Sequence, residues 1–135
     1  MTHASLFNGI GGFQLAAEWA GWDNVMSCEI NTVLNKLTKK HYPNCYQHGD
    51  IRKTDFTIWR DRIDILTGGF PCQPFSSIGR REGFDHPTQG TLFYDVVRIL
   101  EFHRPKAFLL ENVAGLKTHK GGDTLMVIEE TLKDL

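Results

Sequence analysis

The sequence predicts a doubly wound α/β domain, with a mostly parallel sheet and helices on both faces. The main observation is an alternation along the chain between short apolar runs and longer segments with helical spacing. Such an alternation is typical of right-handed βαβ units around a parallel sheet. The second observation is size and composition. The chain has 135 residues, of which 41% are hydrophobic and 23% charged, as in one ordinary globular domain.

The first half of the chain contains three predicted strands and two predicted helices. In order, they are a strand over 3–7, a helix over 11–21, a strand over 24–30, a helix that ends near His41 and a short strand within 44–51. Asn31 is suited to cap the second helix through its side-chain oxygen. Gly21 is a plausible end for the first helix, and Pro43 follows the second.

The second half continues the same alternation around one long irregular stretch. The predicted elements are a strand over 62–69, an amphipathic helix over 91–103, a strand over 106–113 and a helix over 123–135 that the end of the chain cuts off. The strand over 106–113 is continuous and apolar, so we expect it to be buried. The stretch from 71 to 90 has no regular pattern, and irregular segments of this length in compact domains are usually functional or mobile.

Composition and cysteine spacing exclude several classes of protein. The formal net charge is −1, whereas a stand-alone nucleic-acid-binding domain usually carries a basic excess. No apolar run reaches the length of a membrane span, and no basic segment precedes the apolar part of the N-terminus, so we expect a cytoplasmic protein. The three cysteines are widely spaced with no C-x-x-C, so we expect neither a disulfide framework nor a bound metal.

Unusual residues follow the first three predicted strands, where open α/β sheets bind their ligands. Gly9, Gly11 and Gly12 follow the first strand, but Gln14 occupies the third position of the dinucleotide fingerprint G-x-G-x-x-G. Glu29 follows the second strand and is suited to accept hydrogen bonds from ribose hydroxyls. Asp50 follows the third strand, where an adenine amino group would find an acceptor. Together they indicate a nucleoside-type cofactor, although simple turn glycines and solvated acids remain the alternative.

The fourth and fifth predicted strands end near Cys72 and Glu111. Cys72 lies between Pro71 and Pro74 and follows two glycines, a frame that argues against simple core packing. If the two strands are neighbours, about 4.8 Å apart, the thiol and the carboxyl face one substrate. Glu111 leaves an apolar strand, and partial desolvation would favour its protonated form. Cys28 and Cys45, by contrast, are interpreted as small buried hydrophobic residues.

These motifs resemble those of the cytosine-5 DNA methyltransferases. The segment LFNGIGGF resembles the first motif of that family, GDI the third, GGFPCQPFSSIG the fourth and ENV at 111–113 the sixth. The resemblance runs in order along nearly the whole chain, and the Pro-Cys-Gln and Glu-Asn-Val motifs are highly specific in combination. It implies the Rossmann-like fold of S-adenosylmethionine-dependent methyltransferases.

The resemblance implies S-adenosylmethionine as methyl donor and S-adenosylhomocysteine as product. It assigns Glu29 to the ribose and Asp50 to the adenine. The other residues that it places at the cofactor are Phe7, Gly9, Gly11, Ile30, Ile51 and Pro71. Ile30 stands where the family commonly has a large aromatic, so we expect a weaker contact with the adenine. Ser5 stands where the family usually has an aspartate. Gln89 replaces a usual arginine, so the resemblance does not imply the phosphate contact of that arginine here.

The family mechanism implies roles for the residues near the target base. Double-stranded DNA would present a cytosine flipped out of the helix. Cys72 would add to carbon 6 of the ring as thiolate, and Glu111 would hold or protonate N3, after which carbon 5 takes the methyl group. The resemblance also places at the base or the DNA backbone Gln73, Ser76, Arg80, Arg81, Asn112 and Val113.

The resemblance also bears on domain organisation. We expect residues 1–135 to be the N-terminal portion of a methyltransferase catalytic domain, with the cofactor pocket and a catalytic loop at 71–90. The target-recognition region would be absent and supplied by a C-terminal half, in a prokaryotic or phage restriction-modification context. The alternatives are an RNA cytosine-5 methyltransferase and an inactive cofactor-binding or interaction remnant. An NAD-dependent oxidoreductase is disfavoured by the missing third glycine.

Overall fold

The structure, a computed structural model, describes residues 1–71 and 92–135. Five strands lie within these ranges: β1 (Thr2–Leu6), β2 (Asp23–Cys28), β3 (Tyr46–His48), β4 (Ile65–Gly69) and β5 (Ala107–Glu111). The α-helices of the same ranges are α1 (Gly12–Trp19), α2 (Thr32–His41), α3 (Leu92–His103) and α4 (Asp123–Lys133). Short 3₁₀ turns occupy Thr57–Trp59, Ala114–Lys117 and His119–Gly122.

The strands form one sheet in the order β3-β2-β1-β4-β5, and every neighbouring pair is parallel. The chain runs outward from β1 to β3 and then returns to β4, on the other side of β1. Right-handed crossovers therefore put α1 and α2 on one face of the sheet and α3 on the other. The predicted doubly wound α/β class is confirmed, and the topological switch point lies between β1 and β4.

The predicted cap of α2 is also confirmed. The Asn31 side-chain oxygen accepts hydrogen bonds from the backbone N–H of Val33 at 2.9 Å and of Leu34 at 3.3 Å. These bonds satisfy two of the amides that a helix N-terminus leaves free. The asparagine fixes where α2 begins, and hence the path of the chain directly after β2.

The two faces of the sheet differ in polarity. The face towards α3 is apolar, and its buried side chains join those of the helix in one cluster that includes Leu6, Met26, Leu66, Phe93 and Val96. On the opposite face, the residues at His3, Ser5, Ser27 and Thr67 are polar and at most 4% exposed. His3 Nε2 lies 2.9 Å from Thr67 Oγ1, so part of this polar layer is paired.

The prediction of a buried fifth strand is wrong for the described part of the chain. There, β5 pairs only with β4 and forms an edge of the sheet. Phe108 is 42% exposed and Leu109 is 58% exposed. An apolar run is a reliable signal of a strand, but it does not reveal which neighbours the strand has.

The helices within residues 1–71 and 92–135 include none with the length and apolar character of a membrane span.

Buried histidines give the fold a predictable dependence on pH. Burial lowers the pKa of His103 below its ordinary 6.5, and burial also lowers the pKa of His3 and His48. Below pH 6.5 the unfolded chain binds protons that the folded chain does not yet accept. We therefore expect stability to fall as the pH drops through this range, measured as a lower urea midpoint at about pH 5 than at about pH 8.

His103→Phe provides the control for this pH dependence. The ring of His103 contacts the rings of Phe56 and Phe102 edge-on, and phenylalanine keeps an aromatic ring while removing the titrating group. The variant should lose less stability between the two pH values than the unaltered chain does. An unchanged loss would show that protonation of His103 contributes nothing.

Candidate active site

The chain turns sharply where β1 ends, and the backbone there adopts left-handed conformations. The φ angle is +52° at Phe7, +55° at Gly9 and +91° at Gly11. A Cβ on Gly11 would lie 3.2 Å from Oε1 of Gln14, so both conformation and space favour glycine at this position. Phe7 carries a side chain in a conformation that is uncommon outside glycine, and such positions cluster at functional sites.

Hydrogen bonds among buried side chains stabilise the glycine turn that follows β1. Asn8 Nδ2 donates to Gln14 Oε1 at 2.9 Å and to Thr38 Oγ1 at 3.0 Å, and Gln14 Nε2 donates to the Cys45 sulfur at 3.2 Å. Gln14 thus replaces the third glycine of the dinucleotide fingerprint with a buried hydrogen-bonding group. Sequence reasoning missed Asn8 and Thr38, because a buried hydrogen bond between an amide and a distant hydroxyl leaves no periodic signal in the sequence.

Glu29 connects the turns that follow β1 and β2. Its Oε2 accepts from the backbone N–H of Gly9 at 2.8 Å, and its Oε1 accepts from the N–H of Asn31 at 2.9 Å. A carboxylate has about four acceptor positions, so roughly two remain for a ligand. Glu29 therefore holds the glycine turn in place and still presents acceptors at the carboxyl edge of the sheet.

Asp50 is already engaged by a neighbouring cation. Arg52 Nε and Nη2 donate to its two carboxylate oxygens at 3.0 and 2.9 Å, and the hydrogen bond from Arg52 lowers the pKa of Asp50. Arg52 was missed in the sequence, although its position two residues after the acid was a usable signal. Ile51 is only 4% exposed and belongs to the core, so its side chain offers little surface to a ligand, whereas Ile30 is 65% exposed.

β4 and β5 are neighbours, as the sequence hypothesis required, and Gly69 pairs in register with Glu111. A Cβ on Gly69 would lie 2.9 Å from Oε2 of Glu111, so the glycine leaves room for the carboxyl group against the end of β4. Glu111 is exposed, and the predicted partial desolvation of its side chain is therefore wrong in this structure. The apolar strand before Glu111 does not enclose it, because β5 lies at the edge of the described sheet.

A hydrogen bond from the residue after Glu111 connects the ends of β4 and β5. Asn112 Nδ2 donates to the carbonyl oxygen of Phe70 at 2.9 Å, and Asn112 Oδ1 accepts from the N–H of Val113. Phe70 directly precedes Pro71, which is exposed. Asn112, predicted at the substrate, thus binds the backbone two residues before Cys72, while Val113 is 61% exposed.

The predicted nucleophile and its neighbours lie outside the described residues. They are Cys72, Gln73, Ser76, Arg80, Arg81 and Gln89. The cysteines that the structure describes, Cys28 and Cys45, are buried free thiols, as predicted. Burial raises the pKa of Cys28 to about 12, so it stays protonated at neutral pH. Within 1–71 and 92–135, no group of three or more His, Cys, Asp or Glu residues is arranged to hold a metal ion.

The chain is similar along its whole length to proteins of a known family. The family model of C-5 cytosine-specific DNA methylases matches residues 1–135. Among curated proteins, the type II methyltransferase M.MspI of Moraxella is 49% identical over 132 residues, which cover 96% of this chain and 31% of that protein. The type II methyltransferase M.BsuFI of Bacillus subtilis is 44% identical, with 100% of this chain and 32% of that protein covered.

A solved structure is similar in fold. It is a prophage-encoded E. coli protein described as a putative DNA modification methyltransferase. It is 25% identical to this chain and superposes with a TM-score of 0.77, covering 99% of this chain and 38% of the other. The chain thus spans about a third of the length of the curated relatives that it matches.

Proposed function

Because the chain belongs to the C-5 cytosine-specific DNA methylase family, we propose that it carries the cofactor-binding and catalytic residues of a methyltransferase. The reaction would transfer a methyl group from S-adenosylmethionine to carbon 5 of cytosine in double-stranded DNA. The curated relatives named above are bacterial type II methyltransferases, and we propose the same restriction-modification role for the protein that contains this chain.

Besides family membership, the pairing of β4 with β5 supports the proposal. Glu111 ends β5 in register with Gly69, which ends β4, and β4 leads through Phe70 and Pro71 into Cys72. The parallel pairing brings the carboxyl group to the strand end from which the chain continues to the thiol. A carboxyl group at the strand end from which the chain continues to a cysteine supports chemistry on one bound base.

The residues after β1, β2 and β3 fit S-adenosylmethionine. A Cβ on Gly9 would meet nothing within 4 Å, so open space adjoins the glycine turn. Glu29 has acceptor positions left for ribose hydroxyls, and the exposed side chain of Ile30 offers an apolar contact for the adenine. Asp50 would reach the adenine amino group with one oxygen lone pair while Arg52 keeps its charge balanced.

In the proposed methyl transfer, Cys72 and Glu111 have separate roles at the cytosine ring. S-adenosylmethionine, when bound, supplies an electrophilic methyl group on a sulfonium. Cys72 as thiolate adds to carbon 6 of the flipped cytosine, and the carboxyl group of Glu111 holds a proton at N3. Loss of the proton at carbon 5 and departure of the Cys72 sulfur restore the thiolate. Asn112 holds the Phe70 carbonyl, and so positions the backbone that leads to Cys72.

DNA reading requires protein surface beyond what this chain offers. The formal net charge is −1, and the matched relatives are about three times longer than their matched segments. We propose that a further region of the methyltransferase supplies most of the contacts to DNA. Arg80 and Arg81 would add phosphate contacts from this chain.

A chimera tests the proposal directly. This chain replaces the matched segment of the Moraxella relative, so that the relative supplies the DNA-reading part. The chimera should methylate carbon 5 of cytosine in double-stranded DNA, measured by transfer of a labelled methyl group and nucleoside analysis. Methylation of folded RNA in preference to DNA would favour the RNA alternative. Binding of S-adenosylmethionine without methylation of either nucleic acid would favour a cofactor-binding remnant.

Glu29→Gln should weaken S-adenosylmethionine binding by roughly tenfold to a hundredfold, as expected for loss of one charge-assisted hydrogen bond. The amide keeps the size of the side chain but removes the charge and one acceptor oxygen. Titration calorimetry on the chain and on the chimera would measure the effect. The matched control is Glu129→Gln, an exposed acid on α4 that should leave the affinity unchanged. Equal affinities for all three proteins would remove Glu29 from the cofactor site.

A further inference from the structure

The carboxylate of Asp50 is held by several donors from a single residue, Arg52. The backbone N–H and Nε of Arg52 both donate to Oδ1 at 3.0 Å, and Nη2 donates to Oδ2 at 2.9 Å. A carboxylate has about four acceptor positions, two on each oxygen. Oδ1 is therefore filled, and the position that remains is on Oδ2. The guanidinium group thus determines which acceptor of Asp50 a ligand can reach.

The ion pair between Asp50 and Arg52 contributes little to the stability of the fold. The side chain of Arg52 is 61% exposed and that of Asp50 is 14% exposed, and an ion pair with so exposed a member adds little to the free energy of unfolding. What the pair does provide is orientation. A planar guanidinium that binds both oxygens leaves a carboxylate little freedom to rotate.

The backbone at Asp50 is held by contacts in which the guanidinium of Arg52 takes no part. The carbonyl oxygen of Asp50 accepts from the hydroxyl group of Thr54 at 2.8 Å. Arg98, on α3, donates through Nη2 to the carbonyl oxygen of Ile51 at 2.9 Å. Loss of the Arg52 guanidinium would therefore free the carboxylate, while these contacts keep the backbone of the turn in place.

We propose that Arg52 is a positioning residue that makes the cofactor pocket selective for a purine with an amino group at position 6. The inference rests on the proposed function, in which Asp50 accepts a hydrogen bond from the adenine amino group. Because Arg52 holds the carboxylate, the free acceptor on Oδ2 stays ready for a donor and repels an acceptor such as the 6-carbonyl of hypoxanthine. A carboxylate free to rotate would bond less well to the amino group and would also turn away from the carbonyl.

The charge of Arg52 has the opposite effect on the bond to adenine. The hydrogen bond from Arg52 lowers the pKa of Asp50, which makes the carboxylate a weaker acceptor. Removal of the charge would therefore strengthen the bond to the amino group, whereas removal of the fixed orientation would weaken it. Because the Arg52 side chain is 61% exposed, solvent screens its charge, and we expect the loss of orientation to dominate. The sign of the change in affinity thus distinguishes positioning from charge.

Titration calorimetry with two ligands tests the inference on the chain and on the chimera. The ligands are S-adenosylhomocysteine and S-inosylhomocysteine, in which a carbonyl replaces the amino group. The unaltered proteins should bind the adenosyl compound roughly tenfold to a hundredfold more tightly. Arg52→Ala should lower that ratio about threefold to tenfold, through weaker binding of the adenosyl compound and equal or tighter binding of the inosyl compound. Arg52→Lys should restore only part of the ratio, because an ammonium group is a point charge that cannot bind both oxygens as a fork.

Two controls separate positioning from general effects on the pocket. Lys53→Ala removes a positive charge from the same turn, where Lys53 is exposed and lowers the pKa of Asp50 through its charge, and this variant should leave the ratio unchanged. In an Asp50→Ala background, Arg52→Ala should cause no further change in the ratio, because the interaction between the two side chains is already gone. A merely structural effect of Arg52 would instead lower the affinity for both ligands alike.

Some outcomes would overturn the inference alone. One is a ratio that stays unchanged in Arg52→Ala, which would leave the cofactor role of Asp50 intact. Another is full recovery of the ratio in Arg52→Lys, since a charge without the fork would then suffice. Equal affinities of the unaltered proteins for the two ligands would remove Asp50 from the adenine, and lack of binding of either ligand would refute the cofactor pocket itself. In both of these cases the inference falls together with the proposed function.

Discussion

Cys72→Ser should abolish methyl transfer by the chimera, with a fall in rate of roughly 10⁴-fold or more, as when a nucleophile that acts with its partners as a unit is removed. Under the proposed mechanism, the attack on carbon 6 needs a thiolate, and a serine hydroxyl is neither ionised at neutral pH nor comparably nucleophilic. The variant should bind S-adenosylmethionine with unchanged affinity, because the proposed contacts with its ribose and adenine lie after β1, β2 and β3.

Cys28 provides the control for the Cys72→Ser variant. Cys28 is 2% exposed, its sulfur donates to the carbonyl of Gly49 at 3.1 Å, and its raised pKa keeps it a thiol. Cys28→Ala should therefore retain methyl transfer once the variant is shown to be folded. A DNA duplex with 5-fluorocytosine gives a second readout, since fluorine cannot leave carbon 5 as a proton does. With S-adenosylmethionine present to methylate carbon 5, a stable protein–DNA adduct should form with the unaltered chimera and with Cys28→Ala, but not with the Cys72→Ser variant.

Full activity of Cys72→Ser would remove the thiol from the mechanism while leaving the family and the fold untouched. Loss of activity together with loss of cofactor affinity would point instead to a structural effect on the pocket. The measured cofactor affinity separates these results, because the stable adduct needs both the thiol and bound S-adenosylmethionine.

The sequence predicted the order of strands and helices well, because those elements depend on local spacing. Asn31 illustrates this, since a capping side chain acts within three residues of its own position. The predicted alignment of Gly9, Glu29 and Asp50 at successive strand ends follows from the parallel topology alone, without knowledge of any distance.

Interactions between distant segments were beyond the reach of the sequence. The amide of Asn112 bonds to a carbonyl 42 residues away, and nothing in a Glu-Asn-Val motif specifies that partner. The exposure of Glu111 was mispredicted for a related reason. A carboxyl after four apolar residues is desolvated only when the strand has cover on both sides, which depends on the rest of the assembly.

Glu111→Gln should lower the turnover number of the chimera by about 10²- to 10⁴-fold, the usual contribution of a positioned general acid. Glutamine keeps the size and the hydrogen-bonding capacity of the side chain, but it cannot deliver a proton to N3. The exposed carboxyl group is accessible to an incoming base, and closure of the site around the flipped cytosine would supply the desolvation that the free chain lacks. Single-turnover kinetics at saturating DNA would separate the chemical step from binding.

Gly69→Ala tests the position of the carboxyl group without altering its chemistry. The added Cβ would lie 2.9 Å from Oε2 of Glu111 and would force the side chain away from the end of β4. Turnover should therefore fall in the direction of the Glu111→Gln variant, while cofactor affinity stays unchanged. Gly115→Ala is the matched control, since a Cβ there meets nothing within 4 Å. If Gly69→Ala turns over normally, the register of β4 and β5 does not set the position of the acid, and the geometric support for its role is lost.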